Sequence, residues 1–165
     1  MTNDELKIYL LGIFDGEGCI CPSFRKDGYV ALFVTVSMAS EEVIDLLQNM
    51  WGGSKSMRRG AKAGYLDRFT WTMTGSRTIP FLEYASKRLI TKRKQAEYAL
   101  ILAHDLTRWK RERHGINNHA GEKCLTEADH ARRREIGLKI KALNGARSRY
   151  AKMTDLRGAL SPTYT

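Results

Sequence analysis

Strict alternation of side-chain character over residues 29–37 constrains this chain more than any other feature. Val30, Leu32, Val34 and Val36 point one way and Tyr29, Ala31, Phe33 and Thr35 the other. Side chains repeat with a period of two along a strand, so the pattern predicts a strand with one apolar face on a core and a second face left open. Residues 20–24 form a strand-like run before it, joined through Lys26-Asp27-Gly28, a hairpin turn. A second hairpin repeats the logic: an outgoing strand over residues 54–59, then a return in which Phe69, Trp71 and Met73 alternate with Arg68, Thr70 and Thr72.

Helical periodicity fills the gaps. Residues 4–14 carry Asp4 and Glu5 at the start and an apolar stripe of Leu6, Leu10, Leu11, Ile13 and Phe14, ahead of Gly16 and Gly18. Ser40 stands where it would cap a helix through Val43, Ile44, Leu46, Leu47 and Met50, stopped by Trp51-Gly52-Gly53. Gly75 and Pro80 bracket a short helix through Leu82 and Tyr84, and Thr91 opens a longer one with Ala96, Ala99, Leu100, Ala103 and Leu106. The order α-β-β-α-β-β-α predicts an α+β domain with a four-stranded antiparallel sheet, helices on one face. The other face would present Ser23, Arg25, Tyr29, Thr35, Arg68, Thr70 and Thr72. The 165 residues suit one domain: a core over 1–107, a polar loop over 108–123, a helix over 124–144 opened by Thr126 and Asp129, and a basic tail over 145–165.

The net charge of +10 is unevenly placed. Residues 1–80 hold nine basic and nine acidic side chains, whereas residues 81–165 hold nineteen and nine. A one-sided positive field of this kind points to a polyanion, nucleic acid above all. No segment approaches the ~18–20 apolar residues of a membrane span, and the start lacks a secretory pattern. Three cysteines, Cys19, Cys21 and Cys124, make an odd count, so the expectation is a reducing, cytoplasmic setting, or else an organelle or phage-infected host compartment, and no membrane partner.

Asp15 and Glu17 stand at the C-terminal end of the first helix, where the dipole is negative, at an electrostatic cost of about 0.3–1 kcal/mol each. A positive group is expected to compensate, and a divalent cation suits carboxylate and carbonyl oxygens. Lys92, Arg93 and Lys94 reverse the situation, three cations at a positive helix N-terminus, and call for an anion such as a phosphate.

The string Leu10-Leu11-Gly12-Ile13-Phe14-Asp15-Gly16-Glu17-Gly18 resembles the signature of the LAGLIDADG homing endonucleases, departing from it at Leu11, Phe14 and Glu17. The α-β-β-α-β-β-α order is similar to that family's fold, and Thr91-Lys92-Arg93-Lys94-Gln95-Ala96 resembles the lysine-rich segment of its single-motif, homodimeric branch. The resemblance implies a metal-dependent double-strand DNA endonuclease that acts on a long pseudo-palindromic site and leaves 3′ overhangs. It places Glu17 and the Gly16 carbonyl on Mg²⁺, with Mn²⁺ as a substitute, and Lys92 as the catalytic lysine. DNA contacts would come from the open sheet face with Arg59, from Arg93 and Lys94, and from Arg147 and Arg149 after Ala142-Leu143-Asn144. One motif per chain implies a dimer packed through Leu10, Gly12, Ile13 and Gly16. Met38 and Glu42 stand where the branch tends to carry polar or basic groups, so the surroundings of the metal are expected to differ. The alternative is a catalytically silent relative, an intron RNA maturase or a DNA-binding regulator.

Two other constellations carry less. Cys19 and Cys21 face one way on a strand but lack two further zinc ligands, and His104, His114, Asn117, Asn118 and His119 form a loose polar grouping. The run Arg132, Arg133, Arg134 reads as the wet face of the last helix.

Overall fold

The computed structural model describes residues 2–26, 28–60, 65–113 and 126–157, with the backbone alone over 108–113 and 146–157. The elements run α1 (Asn3–Glu17), β1 (Gly18–Phe24), β2 (Val30–Met38), α2 (Glu41–Trp51), β3 (Ser54–Arg58), β4 (Arg68–Thr74), a 3₁₀ turn (Gly75–Arg77), α3 (Thr78–Ser86), α4 (Arg93–Arg113) and α5 (Glu127–Arg157). The expected α+β order is present, and the four strands form one antiparallel sheet in the order β1-β2-β4-β3.

Register follows the alternation. Ile20 pairs with Val34, Val34 with Met73 and Val36 with Trp71, and these side chains are buried. The core they enter is built around an aromatic cluster. Phe81 meets Phe14, Trp51 and Trp71 edge-on at centroid distances of 4.8, 5.3 and 5.5 Å, a preferred geometry for rings whose edges are positive and faces negative. The Trp71 indole N–H donates to the Gly52 carbonyl at 2.7 Å, so the polar atom of this fully buried ring is satisfied.

The boundaries correct several expectations. α1 runs to Glu17 rather than ending by residue 14, and it opens with a capping box: Thr2 Oγ1 accepts from the Glu5 N–H while Glu5 accepts from the Thr2 N–H. Ser40 occupies its N-cap position without a side-chain cap bond. Residues 108–113, expected in a loop, continue α4, and α5 continues through the expected basic tail to Arg157; residues 114–125 and 158–165 lie outside the described residues. The reciprocal bonds between Thr126 and Asp129 do open α5.

α5 packs along α4 and the exposed edge of β1. Asn144 Nδ2 donates to the Ile20 carbonyl at 2.8 Å, satisfying an edge-strand group that would otherwise be a template for foreign pairing. Arg133 is 3% exposed; its Nε donates to Asp105 Oδ2 at 2.9 Å and its Nη2 to the Asp105 carbonyl at 3.0 Å. The arginine run is therefore not simply a wet face: its middle member locks α5 to α4. Among the described residues no helix is long and apolar enough to cross a membrane.

The turn from α2 into β3 depends on Gly53, whose φ is +97° and where an added Cβ would stand 2.7 Å from the Thr72 carbonyl oxygen. Gly53→Ala should cost at least about 1–2 kcal/mol, the left-handed penalty of an L-residue, before any clash. The urea midpoint would report it, and an unchanged midpoint would show that the turn relaxes freely.

Candidate nuclease site

The motif's two acids have separate surroundings. Asp15 reaches the start of α4: its carboxylate accepts the N–H groups of Ile90 (3.1 Å), Thr91 (2.9 Å) and Lys92 (2.9 Å), and also the Thr91 hydroxyl. These N–H groups belong to the turn that leads into α4, so an acid at the C-terminal end of one helix anchors the entry to another. Lys92 returns the favour. Its ammonium donates to the carbonyl of Asp15 and to that of Gly16 at 3.2 Å, two of the acceptors that the end of α1 leaves open. Lys92 is 5% exposed, a charge sheltered against a helix end that welcomes it.

This exchange changes the electrostatic account. The compensation for Asp15 comes from the N–H groups of the turn entering α4, and the Lys92 ammonium is held by the backbone carbonyls of Asp15 and Gly16. Burial pushes the Asp15 carboxyl up, but the bonds from the Thr91 hydroxyl and from the Thr91, Lys92 and Ile90 N–H groups outweigh it and hold the group below the usual carboxylate range. Arg93 and Lys94 are exposed, and Arg93 Nε folds back onto the Leu89 carbonyl at 2.9 Å.

Glu17 is the motif acid left exposed. With the Gly16 carbonyl it offers the hard oxygen donors that Mg²⁺ prefers, although that carbonyl already accepts from Lys92. Among the described residues no three His, Cys, Asp or Glu side chains converge as a metal site. Met38 lies on the core side of β2 and packs against the core, which explains an apolar residue there; Glu42 is exposed.

The helix face beside the site is apolar and open. Ile8 is 60% and Tyr9 50% exposed, and with Gly12, Ile13 and Gly16 they form a stripe at helical spacing. Leu10, expected on this face, is instead fully buried in the chain's own core.

The sheet places the remaining candidates together. The pairs Cys19–Thr35, Thr35–Thr72 and Ser54–Thr72 form one line across the open face, and Ser37–Thr70–Ser56 the next, with Ser37 Oγ 2.7 Å from Thr70 Oγ1. Ser23 lies farther along β1, and the Arg25 guanidinium stands over the Tyr29 ring at 5.6 Å. Arg68 pairs with Arg58, whereas Arg59 lies beyond β3. The residues missed from the sequence are Ser37, Ser54, Ser56 and Arg58, although the alternation of Ser54, Ser56 and Arg58 with Lys55 and Met57 could have found three of them. Arg147 and Arg149 fall on the α5 backbone, their side chains outside the described atoms. Cys19 and Cys21 share the open face with Sγ atoms 2.9 Å apart; burial, then the bond and charge of Cys19, push the Cys21 thiol up to about 12.

Comparison with known proteins follows the same lines. The archaeal intron-encoded homing endonuclease I-Vdi141I, solved with DNA, superposes with a TM-score of 0.66 at 17% identity over 86% of each chain. The homing endonuclease I-CvuI, solved with its target in the presence of Ca, gives 0.62 at 18% identity over 86% of this chain and 83% of that one. The homing endonuclease I-TnaI gives 0.56 at 17% identity over 88% and 97%. The chain has the LAGLIDADG homing endonuclease fold. By sequence it is 36% identical over 55 residues to the probable intron-encoded endonuclease aI2 of Debaryomyces hansenii, and 32% identical over 62 residues to the intron-encoded RNA maturase bI4 of Saccharomyces cerevisiae. These matches cover 33% and 38% of this chain, and the chain spans only 8% and 9% of those relatives. No family model matches the sequence.

The Asp15 cap is testable by acid. Its folded-state pKa lies below the ~3.9 of a free aspartate, so its contribution is complete above that value and is lost as pH falls through the folded-state pKa. Asp15→Ala should lower stability at neutral pH by about 0.5–2 kcal/mol and flatten the acid limb of a stability–pH curve below about pH 4. Superimposable acid limbs would remove Asp15 from the capping role.

Proposed function

We propose that the chain is a site-specific double-strand DNA endonuclease of the LAGLIDADG type, working as a homodimer on a long pseudo-palindromic site and leaving 3′ overhangs. The observation that carries this reading is the division of labour between the motif acids. Asp15 is committed to the α4 N-terminus, while Glu17 is left exposed next to the carbonyl that Lys92 holds.

Pairing rests on the two motif glycines. A glycine inside a helix, such as Gly12, costs roughly 0.5–1 kcal/mol against alanine, yet at Gly12, and at Gly16 in the last turn, an added Cβ would meet nothing within 4 Å among the described residues, which give no reason for either. A second α1 approaching closely does, and it brings two copies of Glu17 toward one two-fold axis.

In that assembly Glu17 and the Gly16 carbonyl would hold Mg²⁺, or Mn²⁺ in its place. Bound there, the ion supplies activation of water and neutralises charge at the leaving 3′ oxygen. Lys92 provides a fixed positive charge under the same helix end, offsetting the negative charge that grows on the attacked phosphate. Ser23, Thr35, Thr70 and Thr72 face base edges from the sheet, with Arg25, Tyr29, Arg58 and Arg68 toward its ends. Arg59, Arg93, Lys94, Arg147 and Arg149 hold the phosphate backbone. A second reading, an RNA-splicing maturase on the same fold, draws on the match to the bI4 maturase; it keeps the basic surface and has no need of the Glu17 carboxylate.

Glu17→Gln keeps the side chain's shape and removes its charge, so cleavage of a duplex library with Mg²⁺ should fall by several orders of magnitude while duplex binding persists. Equal cutting by both proteins would take Glu17 out of the site. Tight binding by the wild type without cutting in Mg²⁺ or Mn²⁺ would favour the maturase. Gly12→Leu should convert a dimer to a folded monomer in sedimentation; a wild type that is monomeric at micromolar concentration would refute the paired assembly.

A further inference from the structure

Cys19 and Cys21 are unexplained by anything above. They sit two residues apart on β1, opposite Thr35 and Phe33, both half-buried on the open face. Alternation alone brings them to one side but leaves their Cα atoms two strand rises apart, about 6.4–6.8 Å, the upper edge of what a disulfide spans. The side-chain rotamers close most of the remaining gap, setting the sulfurs 2.9 Å apart. A bond formed across so wide a backbone span is strained, and strained or exposed disulfides are the easily reduced, regulatory kind.

We propose that Cys19 and Cys21 form a reversible dithiol–disulfide site that weakens duplex engagement when oxidised. The oxidant is a low-molecular-weight disulfide such as oxidised glutathione. One cysteine sulfur attacks it, giving a mixed disulfide and releasing one reduced glutathione, which takes the cysteine's proton. The second cysteine then displaces the other glutathione, which leaves with the second proton. The two cysteines lose two electrons and the glutathione disulfide gains them. Closure draws in the segment of β1 that directly follows Glu17, and it removes the Cys19 thiol from the line of Thr35, Thr72 and Ser54 and the Cys21 thiol from beside Phe33. Formation of the bond stands on the sulfur geometry; its effect on duplex binding rests on the proposed function.

The full chain carrying Cys124→Ser, incubated in graded mixtures of reduced and oxidised glutathione, is examined by intact mass and peptide mapping, and its affinity for a random-sequence duplex pool is measured in parallel. The expected result is an internal Cys19–Cys21 bond, reversed by dithiothreitol, with duplex affinity about tenfold lower in the oxidised form. Replacing both cysteines by serine in the same background should leave affinity equal under both conditions. Only singly glutathionylated chains at every ratio, or an internal bond with unchanged affinity, would overturn the switch. A reduced protein that fails to bind the duplex pool at all would overturn the proposed function and the switching with it, while the mass data would still decide whether the dithiol closes.

Discussion

The exchange of hydrogen bonds between the end of α1 and the entry to α4 is the constraint on which the site depends. A helix ends with unsatisfied carbonyls and a partial negative charge, and begins with unsatisfied N–H groups and a partial positive one. Here the two ends are brought together. Asp15 satisfies the donors of the turn that enters α4, and Lys92 satisfies acceptors of α1. Each charged residue would be misplaced by its own helix dipole, and each is well placed by the other's. Because the contact joins residues 75 to 77 apart in sequence, it fixes where α1 stops and so where Glu17 emerges.

The glycines of the motif divide along similar lines. At Gly18 an added Cβ would lie 2.3 Å from the Phe14 ring, so this glycine is required by the chain's own packing despite an ordinary backbone conformation. The aromatic residue at position 14, unusual for the motif it resembles, is thus the inner anchor: its ring packs on Phe81, and the ring together with its own carbonyl oxygen, 2.5 Å from that Cβ, makes glycine obligatory four residues on. Gly12 and Gly16 face outward and answer to no such contact, and they are the glycines to which an intermolecular role is assigned. Sequence spacing treats all three alike; only the packing separates them.

What was legible follows from locality. Alternation revealed both hairpins and the two faces of the sheet, since a period of two is a property of each strand alone. The apolar stripe revealed α1 but not which of its members faced the core, so Leu10 was placed outward when it is buried and Ile8 and Tyr9 passed unnoticed. Sequence carries the strand on to Arg59 because hairpin ends depend on the partner strand, and the register makes Arg58 the residue opposite Arg68. The continuation of α4 and α5 through polar, arginine-rich sequence was hidden for the converse reason: local polarity reads as loop or tail. The Asp15–Lys92 exchange was out of reach altogether, since each residue's partner lies in the other half of the chain, though the wrong-signed charges at both helix ends did mark where a partner was needed.

The same distinction tempers the positive charge of residues 81–165. Lys92 and Arg133 are buried, committed to a helix end and to Asp105, and Arg132 reaches Asp105 Oδ1 at 3.1 Å as well. Part of the basic excess is therefore structural. On the sheet the described residues that face outward at the registered positions include no acid, and the cations sit apart: Arg25 by the β1–β2 turn, Arg58 and Arg68 at the far end by the β3–β4 turn. Two arginines directly opposite each other repel, an arrangement relieved by an anion or by the acceptor edge of a base. Between these ends lie short hydroxyls and thiols, which carry no charge and reach little distance. A polyanion laid along such a face would be gripped at its ends and inspected weakly in the middle, so that discrimination would be concentrated where the arginines are.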